Sequence, residues 1–326
     1  MKSLNEDLKT GQFKQIYLLY GEENYLKKQY KDRLTKAMIP EGDTMNYSYF
    51  EGKGVEPREV IDLSETMPFF ADRRLLVFEN TGFFKTASPE LADYLKELPE
   101  TSYFLFVENE IDKRGKLYKT VKDKGRIVEL PLQDENTLKR WILGAVKREN
   151  KQISERSILH FLEKTGTDMG NIQGELEKLF CYTLEKSDIT EADIDAVCVT
   201  QISNKIFDMV NAVADRRQRR ALELYYDLLA LKEPSMRILY LMTRQFRILM
   251  EVKDLMKHGF GRKEIASKAG LHPFAAGKYM EQAKSFKTSV LRGIIEESAD
   301  IEERVKTGLL TDNIAVEVFI VKYSQP

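Results

Sequence analysis

The chain has few residues from which a reactive centre is usually built. Its 326 residues include two cysteines, three histidines and one tryptophan. Cys181 and Cys198 stand in no metal-ligand or redox spacing, and lone thiols on apolar helical faces read as inert core residues of a reducing compartment. His160, His258 and His272 lie far apart and form neither a metal motif nor a triad. There is no G-x-S-x-G elbow, no His-Glu-x-x-His and no cysteine cluster. Nothing assembles a nucleophile, a base and an oxyanion site, so catalysis by this chain alone is not expected, nor is a metal or a cofactor. No run approaches the ~18 apolar residues of a spanning helix. The first residues carry Asn5, Glu6 and Asp7 without an apolar stretch, which does not read as a signal peptide. The expected location is the cytoplasm.

An excess of one charge is also missing. Lys and Arg number 51, Asp and Glu 52, for a formal charge of −1. No global attraction to nucleic acid follows from that balance. The distribution is less even, because residues 201–326 hold 21 basic and 16 acidic side chains. This mild basic bias suits phosphate without requiring it.

The first part of the chain alternates strand and helix signals. Ile16-Tyr17-Leu18-Leu19-Tyr20 is a short apolar run that ends in Gly21, and a charged helix pattern runs from Glu22 to Met38. Strand, glycine, helix is the setting of phosphate-binding loops. A P-loop, however, needs a second glycine followed by Lys and Ser or Thr, and here Glu22 and Glu23 stand where phosphate would go. The three Gly-Lys pairs, at 52–53, 115–116 and 277–278, have Tyr47, Glu110 and His272 where the first glycine belongs. The scaffold is that of a nucleotide-binding fold without its nucleotide.

Further strands are expected at Met45–Glu51, Arg74–Glu79, Tyr103–Val107 and Arg126–Leu130, with helices at Val55–Glu65, Glu90–Leu98 and Lys116–Lys124. Such alternation implies parallel strands with helical crossovers. Glu79-Asn80 and Glu108-Asn109 close two of the strands and read as solvated strand ends. Beyond Pro131 the strand signal stops. Helix starts are expected at Asp134, Ser154, Thr167/Asp168 and Thr190, the last with Asp193 as a capping box. From about Ser203 the pattern is helical to the end, with Pro234 and Pro273 fitting the first helical position. The run Met236–Met256 is apolar nearly all round, as in a helix that is buried centrally or packs in an oligomer. The expected division is residues 1–132 (α/β), 133–202 (a small helical domain) and 203–326 (an all-helical domain).

One connection departs from this order. Between the helix ending near Glu65 and the strand starting at Leu75, Met67, Phe69 and Phe70 sit in the linker itself. Connections usually run over the surface and are polar. An apolar cluster there plugs either the protein's own core or a partner's. The Asp72, Arg73 and Arg74 that follow suit a charged rim around apolar anchors, the pattern of an interaction hot spot.

Several stretches, in order along the chain, carry a family resemblance. They are Ile16–Glu23 (IYLLYGEE), Asn171–Leu179 (NIQGELEKL), Lys205–Asp208 (KIFD), Arg244–Arg247 (RQFR) and Leu271–Phe274 (LHPF). With them the chain resembles the delta subunits of bacterial DNA polymerase III, the clamp-opening members of the clamp loader. The resemblance implies an AAA+ (RecA-like) α/β domain without a P-loop, followed by two all-α domains, a lid and a collar that joins the subunits. It implies a non-ATPase member of a DNA-directed DNA polymerase complex, whose partners are the ring-shaped sliding clamp (beta), the gamma/tau and delta prime loader subunits, and primed DNA. Met67, Phe69 and Phe70 match the element that the family inserts into a pocket on the clamp. The usual pattern has a leucine before the phenylalanine, and here Phe69 takes that place after Pro68. In the basic C-terminal region Phe274, just after His272-Pro273 at an expected helix start, is a candidate for stacking on a base near the primer–template junction, against the plainer role of packing at a helix start. Two other readings stay open at this point, a divergent AAA+ ATPase and a DNA-binding adaptor that relies on the basic C-terminal region.

Overall fold

The computed structural model describes residues 1–86, 88–199 and 202–325, apart from the side chains of Pro273 and Phe274. The stacking role expected of Phe274 therefore lies outside the described residues. The chain forms two compact units, residues 1–132 and 133–326.

In the first unit β1 (Ile16–Tyr20), β2 (Tyr47–Glu51), β3 (Arg74–Glu79), β4 (Ser102–Glu108) and β5 (Arg126–Glu129) form one parallel sheet in the order β2-β3-β4-β1-β5. Helices α1 (Lys2–Thr10), α2 (Asn24–Met38), α3 (Pro57–Ser64), α4 (Pro89–Tyr94) and α5 (Lys116–Lys124) complete the unit. Every residue of β1 is buried, as in a strand covered on both faces. On one face Phe78 stacks on Phe50, Phe104 and Phe106 at 4.9–5.6 Å between ring centroids. Helix α1 has no counterpart among the sequence expectations. Buried Asp7 ties it down by accepting hydrogen bonds from Tyr17 (2.7 Å) and Arg126 (2.9 Å), partners remote in sequence. Helix α4 ends at Tyr94 rather than Leu98. Lys96 and Glu97 already make i→i−3 bonds, and Pro99 disfavours helical geometry in the residue before it.

Open α/β sheets bind ligands in the crevice beyond the carboxyl ends of their strands. Here the protein's own side chains fill that space. Glu23 caps α2 by accepting from the Tyr25 N–H, so a carboxylate sits where a phosphate would meet a helix N-terminus. The buried Lys27 ammonium donates to the Asn109 side chain and to the Glu108 carbonyl. Glu108 is itself buried and accepts from the N–H and hydroxyl of Thr81, at 3.1 and 2.9 Å. It is not the solvated strand end that the sequence suggests, since Thr81, just past the neighbouring strand, supplies donors that only the sheet brings near. Burial pushes the Glu108 carboxyl above its ordinary range and the Lys27 ammonium below its own.

The second unit contains α6 (Glu135–Arg148), β6 (Gln152–Ile153), α7 (Glu155–Thr165), α8 (Met169–Tyr182), β7 (Asp188–Ile189), α9 (Glu191–Val197), α10 (Ile202–Ala214), α11 (Gln218–Ala230), α12 (Ser235–Lys257), α13 (Arg262–Lys268), α14 (Pro273–Lys284), α15 (Thr288–Lys306) and α16 (Asp312–Ser324). Asp134, Ser154, Asp168 and Thr190 each cap a helix through the side chain, and Thr190 with Asp193 forms both halves of a capping box. The unit is not all-α, because β6 and β7 pair in parallel over two residues each. Segments that short carry no readable alternation. Pro234 caps α12 rather than entering it. Cys198 is buried as expected, but Cys181 is exposed.

Helix α12 is the centre of the larger core, packing on α10, α14, α15 and α16. Its Ile238, Leu239, Met242, Phe246, Leu249 and Val252 are fully enclosed, so burial within this chain accounts for most of its apolar surface. A buried polar chain crosses the same helices. Gln245 donates to Gln282 at 2.6 Å, and Gln282 donates to Asn211 at 2.6 Å and to the Phe207 carbonyl at 3.1 Å. Such a network fixes how helices align as well as that they pack.

Gly21 carries the most specific backbone requirement. Its φ is +126°, and a Cβ there would lie 2.4 Å from the Leu130 carbonyl oxygen. The glycine serves close packing of β1 against the end of β5. Gly21→Ala is expected to destabilise the first unit by at least ~2 kcal/mol, read by urea denaturation. An unchanged midpoint would show that the close approach relaxes without cost.

Candidate functional site

At the opposite edge of the sheet, where strands begin, the α3–β3 connection carries Met67, Phe69 and Phe70. All three face water, at 77, 56 and 95% exposure. They are therefore not a plug for the protein's own core. The rings of Phe69 and Phe70 meet edge-to-face at 4.6 Å. Phe70 has φ +48°, a left-handed backbone that costs a non-glycine residue roughly 1–2 kcal/mol. A nearly fully exposed phenylalanine in such a conformation gains almost nothing from burial to offset that cost. Strain of this kind collects at functional sites.

The loop stays in place because its backbone is satisfied from beneath. Asn46 precedes β2 and is buried, with 2% exposure. Its Oδ1 accepts from the Phe69 N–H at 2.6 Å, and its Nδ2 donates to the Phe69 carbonyl at 2.9 Å. The same Nδ2 donates to Asp43 at 2.8 Å, and this amide is the main reason the Asp43 carboxyl lies below the usual range. Buried Arg74 donates to the Thr66 carbonyl at 3.2 Å and to the Met67 carbonyl at 3.5 Å. Upstream, the Ser64 hydroxyl meets the Tyr94 hydroxyl at 2.5 Å, Tyr94 donates to Glu65 at 2.6 Å, and Ser102 donates to the Ser64 carbonyl at 2.6 Å.

Two arginines thus differ in role from the sequence reading. Arg74 lies under the loop, and Arg73 stacks over the rings of Phe13 and Tyr103 at 5.6 and 5.3 Å. Neither forms an exposed charged rim, whereas Asp72 is exposed. Guanidinium groups suit this work, since a planar fork serves several carbonyls and its face lies well on an aromatic ring. Sequence reasoning missed Asn46, which lies 23 residues from Phe69 along the chain. An asparagine before a strand looks like ordinary turn chemistry, and only the β2–β3 pairing brings it under the loop.

Because the apolar side chains contribute so little to the core, Met67→Ala, Phe69→Ala and Phe70→Ala are each expected to leave folding stability within about 0.5 kcal/mol of the wild type. Chemical denaturation of the three variants checks this. A loss above about 2 kcal/mol in any of them would mean the side chain packs within the chain.

Known proteins align with this arrangement over almost its whole length. Residues 17–131 match the model of the DNA polymerase III delta subunit, and residues 203–323 match that of the delta subunit's C-terminal domain. The DNA polymerase III subunit delta of Bacillus subtilis is 28% identical over 97% of this chain and 95% of its own length. A protein of Aquifex aeolicus assigned to the same subunit is 21% identical over 86% of this chain and 83% of its own. The solved structure of the Bacillus subtilis DNA clamp loader delta protein superposes with a TM-score of 0.80 and 26% identity, covering 99% of both chains. With both family models matched in order, the chain belongs to the DNA polymerase III delta-subunit family.

Proposed function

We propose that this clamp-loader delta homologue binds the ring-shaped sliding clamp through Met67, Phe69 and Phe70 and opens the ring for loading onto primed DNA. The observation that carries this reading is the loop itself, three apolar side chains held in water on a backbone fastened by Asn46 and Arg74. Each side chain of this size is worth roughly 1.5–3 kcal/mol when fully buried. Three of them supply several kcal/mol, enough to favour an opened ring if they dock better on that state. On this reading the chain has no catalytic site of its own, and ATP is used by other subunits. Its would-be nucleotide crevice favours that view, because Glu23, Lys27 and Glu108 occupy it. The place of work would be the cytoplasm, where the replication complex acts.

We further assign residues 133–202 to a lid and 203–326 to a collar that joins neighbouring loader subunits of the gamma/tau and delta prime kind. Helix α12 turns most of its apolar side chains to its own core, with Tyr240 left exposed, and we place the joining surface on a neighbouring helix. Helix α16 leaves Ile314 and Val318 exposed one turn apart, and Tyr226 of the adjoining α11 is exposed as well.

Calorimetry of the full chain against the sliding clamp tests the first assignment. Each of Met67→Ala, Phe69→Ala and Phe70→Ala is expected to weaken binding by about 10-fold or more. Wild-type affinity in all three, with intact folding, would sink the reading. For assembly, the double substitution Ile314→Asp with Val318→Asp is expected to prevent co-purification with the other loader subunits while leaving clamp binding unchanged. Normal co-purification of that variant would move the joining surface away from α16.

A further inference from the structure

The connection that enters β2 runs beside the one that enters β3. The two strands are parallel neighbours with Tyr47 opposite Leu75, and the Leu75 N–H donates to the Asn46 carbonyl at 2.9 Å. Both connections therefore leave the same edge of the sheet. Asn46 joins them twice over, by backbone to β3 and by side chain to Phe69. Next to it, Met45 is 58% exposed, a large apolar residue that the chain's own core does not use.

We propose that Asn46 is the positioning residue of the clamp-docking loop and that Met45 belongs to the same docking surface, which thus spans two loops. The inference rests on the reading of Met67, Phe69 and Phe70 as clamp contacts. The partner remains the sliding clamp, and the chemistry required of it is an apolar depression wide enough for a thioether beside two rings.

The Asn46 amide is matched to its task by orientation. Its oxygen faces an N–H and its nitrogen faces two acceptors, the Phe69 carbonyl and Asp43 Oδ2. An aspartate would place an acceptor against both of those acceptors, and an alanine would leave the Phe69 N–H and carbonyl without these partners. Either change frees the loop before binding. Ordering it would then be charged to the binding step, where the wild type has already met that cost on folding. Met45 acts differently. Its side chain has no strong hydrogen-bonding group, so it contributes as contact area, in the manner of a flexible thioether on an adaptable surface.

The test uses the full chain and the intact sliding clamp in isothermal titration, with melting temperatures alongside. Asn46→Ala is expected to weaken binding about 10-fold, through a less favourable binding entropy. Added to Phe69→Ala/Phe70→Ala it is expected to cause a further loss of at most about 2-fold, because most of its effect passes through those rings and only the remainder through Met67. Met45→Ala is expected to weaken binding about 5-fold without changing the melting temperature. Wild-type affinity for Asn46→Ala or Met45→Ala, in a chain whose Phe69→Ala/Phe70→Ala variant binds poorly, overturns that part of the inference. A full additional loss from Asn46→Ala on top of Phe69→Ala/Phe70→Ala overturns the positioning role. If the wild type itself does not bind the clamp, the underlying reading fails and this one with it. Should Asn46→Ala not stay folded at the assay temperature, Asn46→Ser, which keeps one acceptor, replaces it in both comparisons.

Discussion

The parallel pairing of β2 with β3 is the constraint on which the rest of the first unit depends. Parallel neighbours start at the same edge, so the connections that feed them must run side by side. That adjacency lets one asparagine serve the backbone of a loop 23 residues away. It also lets β3 continue into a buried arginine whose fork reaches back to two loop carbonyls. Without such partners an apolar loop in water would either collapse onto the core or wander among conformations. With them, Phe69 and Phe70 stand out from the surface with few internal contacts of their own.

The two edges of the sheet have opposite electrostatic solutions. At the carboxyl edge buried Lys27 donates to an amide and a backbone carbonyl, buried Glu108 accepts from Thr81, and Lys31 pairs with Glu79, so that a polar network lines the crevice. Burying such charges is costly, and the network compensates by giving each one a partner. At the amino edge Arg74 is buried to hold backbone and Arg73 lies across two rings, and the exposed connection carries Met67, Phe69 and Phe70 beside Glu65 and Asp72. A surface of that kind has little use except to meet another apolar surface.

The second unit follows the same logic at larger scale. Its first four helices begin at short polar caps that the sequence announces plainly, from Asp134 to Thr190. Farther along, α10, α12 and α14 are joined by Asn211, Gln245 and Gln282, three amides from three helices whose meeting no local pattern discloses. The pairing of β6 with β7 is likewise a product of proximity, since two residues are too few to carry a period.

Much of this protein was legible in the order of its residues. Alternating apolar runs and helix patterns implied the parallel α/β sheet, the capping residues marked the helix starts, and the missing Lys-Ser/Thr argued against a phosphate loop. Met67, Phe69 and Phe70 stood out because apolar residues are rare in connections. These signals are local, arising from periodicity, caps and turns that act within a few residues. What only the tertiary structure decided was which way each group faced. It buried Arg74 beneath the loop, laid Arg73 across two rings, buried Glu108, exposed Cys181, and enclosed one apolar side of α12 while leaving Tyr240 exposed. It also put Asn46 beneath Phe69. Burial and hydrogen-bond partnership depend on neighbours brought together by chain folding, and a linear sequence records which groups are available without recording who stands beside them.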